Sequence, residues 1–250
     1  MENYNPFSLE SKTILVTGAS SGIGKAIAIE CSKMGASVII TGRNHERLNQ
    51  TVEQLNGSNH EKIVCDLYSE ENIKELSSQL PVLNGIVHVA GIVKTLPFQF
   101  VSSKELYNIF NVNFFAPVLI TQILTKTKKI VRDASIVFIS SIDGLVTAHA
   151  GNSMYAASKG AITAMAKNMA VDLASKKIRV NCILPGMTET PLIHADDITR
   201  EQLDADMKLY PLKRYGKPEE IAYAAIYFLS DASAWTTGAN LIVDGGFTLL

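Results

Sequence analysis

Seven short apolar runs punctuate the chain, "TILVTG", "SVIITG", "KIVCDL", "GIVHVAG", "SIVFISS", "IRVNCILPG" and "NLIVDGG", and segments with helical periodicity separate most of them. This alternation constrains the fold more than any other feature. Strands that are apolar almost throughout, without polar alternation, belong to sheets covered by helices on both faces. The pattern therefore predicts an α/β fold built on a doubly wound parallel sheet of about seven strands. Several runs end in Gly, Asp or Ser, and ligands in open α/β sheets sit beyond the carboxyl ends of the strands, so those ends mark the active edge.

With 250 residues, 47% of them hydrophobic, the chain suits one large domain over 1–250, with no internal repeat, low-complexity tract or linker. Lys+Arg 23 nearly cancels Asp+Glu 24, and no basic block is interleaved with aromatic residues, which argues against a nucleic-acid partner. Cys31, Cys65 and Cys182 have neither CxxC spacing nor nearby paired histidines, so no disulfide framework or metal site is predicted and a reducing cytoplasm fits. The opening "MENYNPFSLESK" lacks the basic and apolar regions of a signal peptide, and no run approaches about 18 uninterrupted apolar residues. The reading is a soluble protein without a membrane partner. Its rhythm breaks once, at roughly 187–217, a polar stretch with two prolines that reads as a mobile flap over a pocket.

Directly after the first run comes "TGASSGIG", leading into the helical pattern "KAIAIECSKMG". Glycines at 18, 22 and 24 permit a tight turn, close approach of backbone N–H groups to a pyrophosphate, and close packing of helix on strand. The helix N-terminus adds partial positive charge. Gly18, Ser20, Ser21, Gly22, Ile23 and Gly24 are thus candidate dinucleotide contacts. At the end of the second strand, where a carboxylate would bind a ribose 2′-hydroxyl, stand Gly42 and Arg43. A guanidinium there favours a 2′-phosphate, hence NADP(H), with NAD(H) as the alternative; Asn44 beside it suits a helix N-cap. Asp66, ending the third strand, is placed either to accept from an adenine amino group or simply to open a helix.

In "MYAASKGAI", Tyr155 and Lys159 are one helical turn apart, on one face. A free tyrosine has a pKa near 10, so acid–base work at neutral pH calls for a nearby positive charge, which Lys159 supplies; the lysine can also hold the nicotinamide ribose. Ser141 in "FISSIDG" offers a hydroxyl to a substrate carbonyl. Ser140 is the weaker candidate, because Gly144 lies three residues after Ser141. Asn113, in "NIFNVNFFAP", is a poor interior helix residue and predicts a kink holding a water. In "PGMTET", Pro185 and Gly186 turn the chain toward the flap, and Thr188 or Thr190 faces the carboxamide. Phe98, Leu192 and Ile193, with the rest of "GIVKTLPFQF", are expected to line a partly apolar substrate pocket.

Together these motifs resemble the short-chain dehydrogenase/reductase family over nearly the whole chain. The resemblance implies a Rossmann-like fold and a tetrad of Asn113, Ser141, Tyr155 and Lys159, in which tyrosine donates the proton and lysine lowers its pKa. It also implies cofactor contacts at Ala90 and Gly91, and a homotetramer with the helices around 103–130 and 153–175 between subunits. Where the family commonly shows Asn-Asn-Ala-Gly, this chain has His88-Val89-Ala90-Gly91; His88 reads as a structural substitute. "PLKRYGKPEEIA" and the C-terminal "LSDASAWTTGANLIVDGG" look like bacterial 3-oxoacyl-acyl-carrier-protein reductases, implying a small carbonyl or alcohol substrate that includes an acyl thioester. Sugar, polyol and hydroxysteroid dehydrogenases share that tail, and a non-catalytic dinucleotide sensor or scaffold is the reading from another class.

Overall fold

In the computed structural model, residues 4–191 and 199–250 are described. The seven apolar runs form seven strands: β1 Thr13–Thr17, β2 Ser37–Gly42, β3 Glu61–Val64, β4 Leu83–His88, β5 Ile130–Ile139, β6 Arg179–Pro185 and β7 Asn240–Val243. All neighbours pair in parallel, in the order β3-β2-β1-β4-β5-β6-β7. Because successive side chains of a strand point to opposite faces, the inner strands β1, β2, β4, β5 and β6 each feed two cores. Ile14 and Val16 pack on one side with α1 (Gly22–Lys33), α2 (His45–Val52) and α8 (Pro218–Leu229). Leu15, between them, packs on the other with α3 (Glu70–Gln79), α5 (Ala116–Lys126) and α6 (Ser153–Asp172). The doubly wound sheet expected from the sequence is therefore the observed one.

Two local departures interrupt this pattern, and the second of them lies beside the site. The register of β5 on β4 slips between Leu83 and Gly85, where Asp133 takes a left-handed φ of 65°. The helix after β4 is broken: α4 (Ser103–Phe110) passes through a π-helical turn at Asn111–Phe115 before continuing as α5. A π-turn frees backbone groups from the regular ladder, and it coincides with the kink that Asn113 predicts. Taken as one stretch, Ser103–Lys126 is long and apolar enough to cross a membrane by length and composition. Its Ile109, Ala116, Ile120 and Leu124 are instead buried within the domain.

Within the expected flap, the stretch 199–217 is more ordered than a loop reading implies. It contains α7 (Arg200–Met207), started by a capping box in which Thr199 accepts from the Gln202 N–H and the Gln202 side chain accepts from the Thr199 N–H. Leu192 and Ile193 lie outside the described residues.

Candidate active site

Order reversal in the sheet falls between β1 and β4, and a cleft of about 790 Å³ opens there beyond the strand ends. The turn after β1 forms one wall. Gly18 has φ 67°, and a Cβ on it would lie 2.8 Å from the Ala90 backbone; a Cβ on Gly24 would lie 2.4 Å from the Gly18 carbonyl oxygen. Only glycine allows the turn, the end of β4 and the start of α1 to come this close. Ser21 caps α1 in extended conformation without any side-chain capping bond, which leaves its hydroxyl and the first amides of the helix to a ligand at the N-terminus.

At the far end of the cleft, β2 delivers Gly42 and Arg43, and Asn44 caps α2 by accepting the Arg47 N–H at 2.9 Å. That cap fixes the first turn of α2 so that Arg47 joins Arg43 on the wall. Sequence reasoning missed Arg47, although its place in the first turn after a glycine-ended second strand was a usable signal. Asp66 lines the same end and accepts the Tyr68 N–H at 3.1 Å, while the following helix is opened by Ser69 and not by Asp66. This cradle fits a dinucleotide with an extra phosphate: tight glycine turn, helix N-terminus, two guanidinium groups and no carboxylate at the end of β2.

The replacement of the usual amides after β4 is also resolved. Thr17 Oγ1 accepts the N–H groups of Val89 at 3.0 Å and Ala90 at 3.2 Å, tying β1 to the end of β4. His88 turns away from the cleft, stacks on Phe138 with centroids 4.9 Å apart, and meets Thr121 Oγ1 at 2.9 Å. Thr121 donates its own proton to the Pro117 carbonyl, so His88 Nε2 carries the hydrogen of that bond. Burial pushes the His88 pKa down to about 3, keeping the ring neutral.

Ser141, Tyr155 and Lys159 line the cleft together, and Asn113, the fourth tetrad candidate, is buried just behind Gly91 and Ile92. Asn113, buried in the π-turn, accepts the Ile92 N–H at 2.8 Å and donates to the Ile92 carbonyl at 2.9 Å and to Ser158 Oγ at 3.0 Å. Gly91 keeps the space open between them: its missing Cβ would sit 3.4 Å from Asn113 Oδ1 and 3.5 Å from Lys159 Nζ. Lys159 is buried and donates to the Ile139 carbonyl at 2.7 Å, and its Nζ lies 5.6 Å from the centroid of the Tyr155 ring. Ser141 accepts the Asp143 N–H at 3.1 Å and hydrogen-bonds Tyr155. Ser140 instead is buried, donating to the Lys159 carbonyl or pairing with Thr163, so it belongs to the scaffold. Gly144 supports the choice of Ser141, since a Cβ there would lie 2.1 Å from the Ala156 carbonyl oxygen and push the loop off α6.

The electrostatics depart from expectation at one point. Burial pushes the Tyr155 hydroxyl up to about 12, opposed by its bond with Ser141 and reinforced by the Asp143 carboxylate. Lys159 does not bring it down, because removing a phenolate from water outweighs a cation whose protons are directed at a carbonyl. Burial also draws Lys159 down to about 8. A tyrosine so held stays protonated at neutral pH and can hand a hydrogen to a carbonyl oxygen placed between it and Ser141.

Beyond β6, Pro185 and Gly186 enter the cleft wall, with Gly186 donating to the Val243 carbonyl at 3.0 Å. Thr188 lines the cleft, but its hydroxyl donates to the Gly186 carbonyl at 3.1 Å. Thr190 also lines it and packs over Gly22. Of "GIVKTLPFQF", residues 91–93 and Thr95 reach the cleft, whereas Phe98 is 80% exposed and does not. The expectation for Phe98 is corrected by the short 3₁₀ turn Phe98–Phe100, which carries its ring outward.

A family model described as enoyl-(acyl carrier protein) reductase matches residues 18–248. The chain belongs to the short-chain dehydrogenase/reductase family. This short-chain dehydrogenase/reductase is 36% identical to a tropinone reductase homolog of Arabidopsis thaliana, covering 100% of this chain and 97% of the relative. It is 32% identical to the 3-oxoacyl-[acyl-carrier-protein] reductase FabG of Thermotoga maritima, covering 96% and 99%. Among solved structures, one described as a gluconate dehydrogenase from Agrobacterium tumefaciens superimposes with a TM-score of 0.91 at 28% identity, covering 99% of this chain and 100% of that one. Members of the family are oxidoreductases acting on CH–OH and carbonyl groups with nicotinamide cofactors, and this chain is one of them.

Proposed function

We propose that the protein uses NADP(H) to interconvert a ketone and a secondary alcohol, as a cytoplasmic homotetramer. The observation that carries the reading is the convergence of Ser141, Tyr155, Lys159 and Asn113 beside a glycine cradle whose far end presents Arg43 and Arg47. Bound NADPH supplies the hydride. Tyr155 donates its hydroxyl proton to the carbonyl oxygen, and Ser141 holds that oxygen in place. Lys159 fixes the nicotinamide ribose, and Asn113 keeps the Ile92 backbone, and with it the wall beside Lys159, in position. The FabG relatives support a 3-oxoacyl thioester as substrate. A second reading, a sugar or polyol substrate, is favoured by the polar side chains His149, Asn152 and Gln202 lining the same cleft.

Loss of absorbance at 340 nm on mixing with NADPH and a panel of ketones, one of them a 3-oxoacyl thioester, tests the reading. Turnover is expected with NADPH in preference to NADH. Tyr155→Phe should bind NADPH nearly as before while losing about 10²–10⁴-fold in turnover, the usual contribution of general acid catalysis. Equal rates in that variant would remove the proton-donor assignment.

A further inference from the structure

The loop between β5 and α6 contains a buried carboxylate that neither strand nor helix requires. Asp143 is 4% exposed. Its carboxylate accepts from Thr147 Oγ1 at 2.8 Å, His149 Nδ1 at 2.5 Å and Asn152 Nδ2 at 3.0 Å. A buried carboxylate is costly unless so satisfied, and the three donors come from a single short loop. Two of them, His149 and Asn152, line the same cleft as Ser141 and Tyr155, with Thr95 and Gln202.

Of the three, the histidine is placed to read a ligand. An ionised carboxylate only accepts, so the His149 ring carries its hydrogen on Nδ1 and presents Nε2 on its other edge. Its side chain is 46% exposed against 6% for Asp143, and Nε2 has no protein partner among the described residues. Phe247 stacks against the ring at 5.9 Å between centroids and so restricts its plane. The same network reaches the reacting groups, since the Asp143 N–H donates to Ser141 Oγ.

We propose that His149 Nε2, held by Asp143, is the specificity-determining contact for a hydroxyl that the substrate carries beyond its reacting carbonyl. The substrate class is then a hydroxylated ketone and its polyol, not a plain acyl chain; the inference rests on the reductase reading above. A hydroxyl suits the site because it donates to a neutral Nε2 and accepts from a protonated one. A carboxylate suits it less, because Asp143 stands behind the ring and Asp206 of α7 lines the same cleft.

The test compares kcat and KM for 4-hydroxycyclohexanone, cyclohexanone and a 3-oxoacyl thioester, with NADPH, in the wild type, His149→Ala and His149→Gln. The wild type should prefer the hydroxylated ketone to its deoxy analogue by about tenfold in kcat/KM, the worth of one hydrogen bond of ordinary net strength. His149→Ala should abolish that preference, mainly through KM, and His149→Gln, which retains a polar group, should restore part of it. Equal losses on both ketones, as a purely structural role would give, overturn the proposal, as does an intact preference in His149→Ala. Wild-type turnover of the thioester alone, or of both ketones without preference, overturns it while the reductase reading stands. Turnover of none of the three overturns both.

Discussion

The proposed preference for NADP(H) rests on two guanidinium groups at the far end of the cleft. Arg43 and Arg47 both line it, and Gly42 puts no carboxylate beside them. A 2′-phosphate bridging two such groups gains charge-assisted bonds worth about 1.5–3 kcal/mol each, whereas a bare 2′-hydroxyl gains little from them. Arg43→Ala should therefore raise the Kd for NADPH by about tenfold or more and that for NADH by far less. Fluorescence titration of both nucleotides measures this directly, and losses of equal size would dissociate Arg43 from phosphate recognition. Arg47→Ala should repeat the pattern. Its side chain acts in the same place only because Asn44 caps the helix that carries it.

Helices α4 and α6 and the π-turn Asn111–Phe115 bury one face and leave apolar side chains exposed on another. Tyr107 is 63% exposed and Val171 76%, and Leu106 and Phe115 are also exposed. A contiguous patch of exposed apolar side chains marks an association surface, and the proposed tetramer predicts that these residues form one. Light scattering should give four protomer masses, and Phe115→Glu with Val171→Glu should reduce the mass; a monomeric wild type would refute the tetramer. These elements also show what the sequence made legible. Strands β1, β2, β4 and β6 could be read because they are buried along almost their whole length and so carry a nearly unbroken apolar run, whereas the more exposed edge strands β3 and β7 were legible only through their few β-branched residues. The π-turn could be read because Asn113 is chemically out of place in a helix. Helix α7 could not, because its residues are polar and none of them is buried, so its existence rests on the Thr199–Gln202 cap and on Tyr215, which donates to Asp206 and Leu203. The Asp143 network was illegible for a different reason. Its partners lie four to nine residues away in a loop without periodicity, and only the folded chain turns them toward one carboxylate. The Phe98 expectation failed on the same ground, since an aromatic residue in a loop carries no periodic signal of which way it faces.

At the scale of the whole molecule, one substitution in the sheet ties stability to pH. His88 sits at the end of β4, between the strand layer and α5, with Phe138 on one side and Thr121 on the other. No charged group is responsible for its depressed pKa; burial alone is. In the unfolded chain the same histidine titrates near 6.5. Above that pH both states are neutral there and the residue is neutral toward stability. As the pH falls below 6.5, the unfolded chain binds a proton that the folded chain refuses until about 3, so stability drops by about 1.4 kcal/mol for each pH unit. Between pH 7 and pH 5 the loss should be on the order of 2 kcal/mol. The carboxylates held low in the fold, Glu71, Glu105, Glu220 and Asp244, begin to contribute only below their ordinary range near 4, and the comparison with a His88 variant separates this residue from the other four histidines. Urea unfolding of the wild type and of His88→Asn at the two pH values is the measurement. The asparagine can still donate toward Thr121 but has no proton to gain, so its unfolding free energy should be nearly level across the window even if the variant is less stable throughout. A parallel decline in both proteins would place the acid sensitivity outside β4.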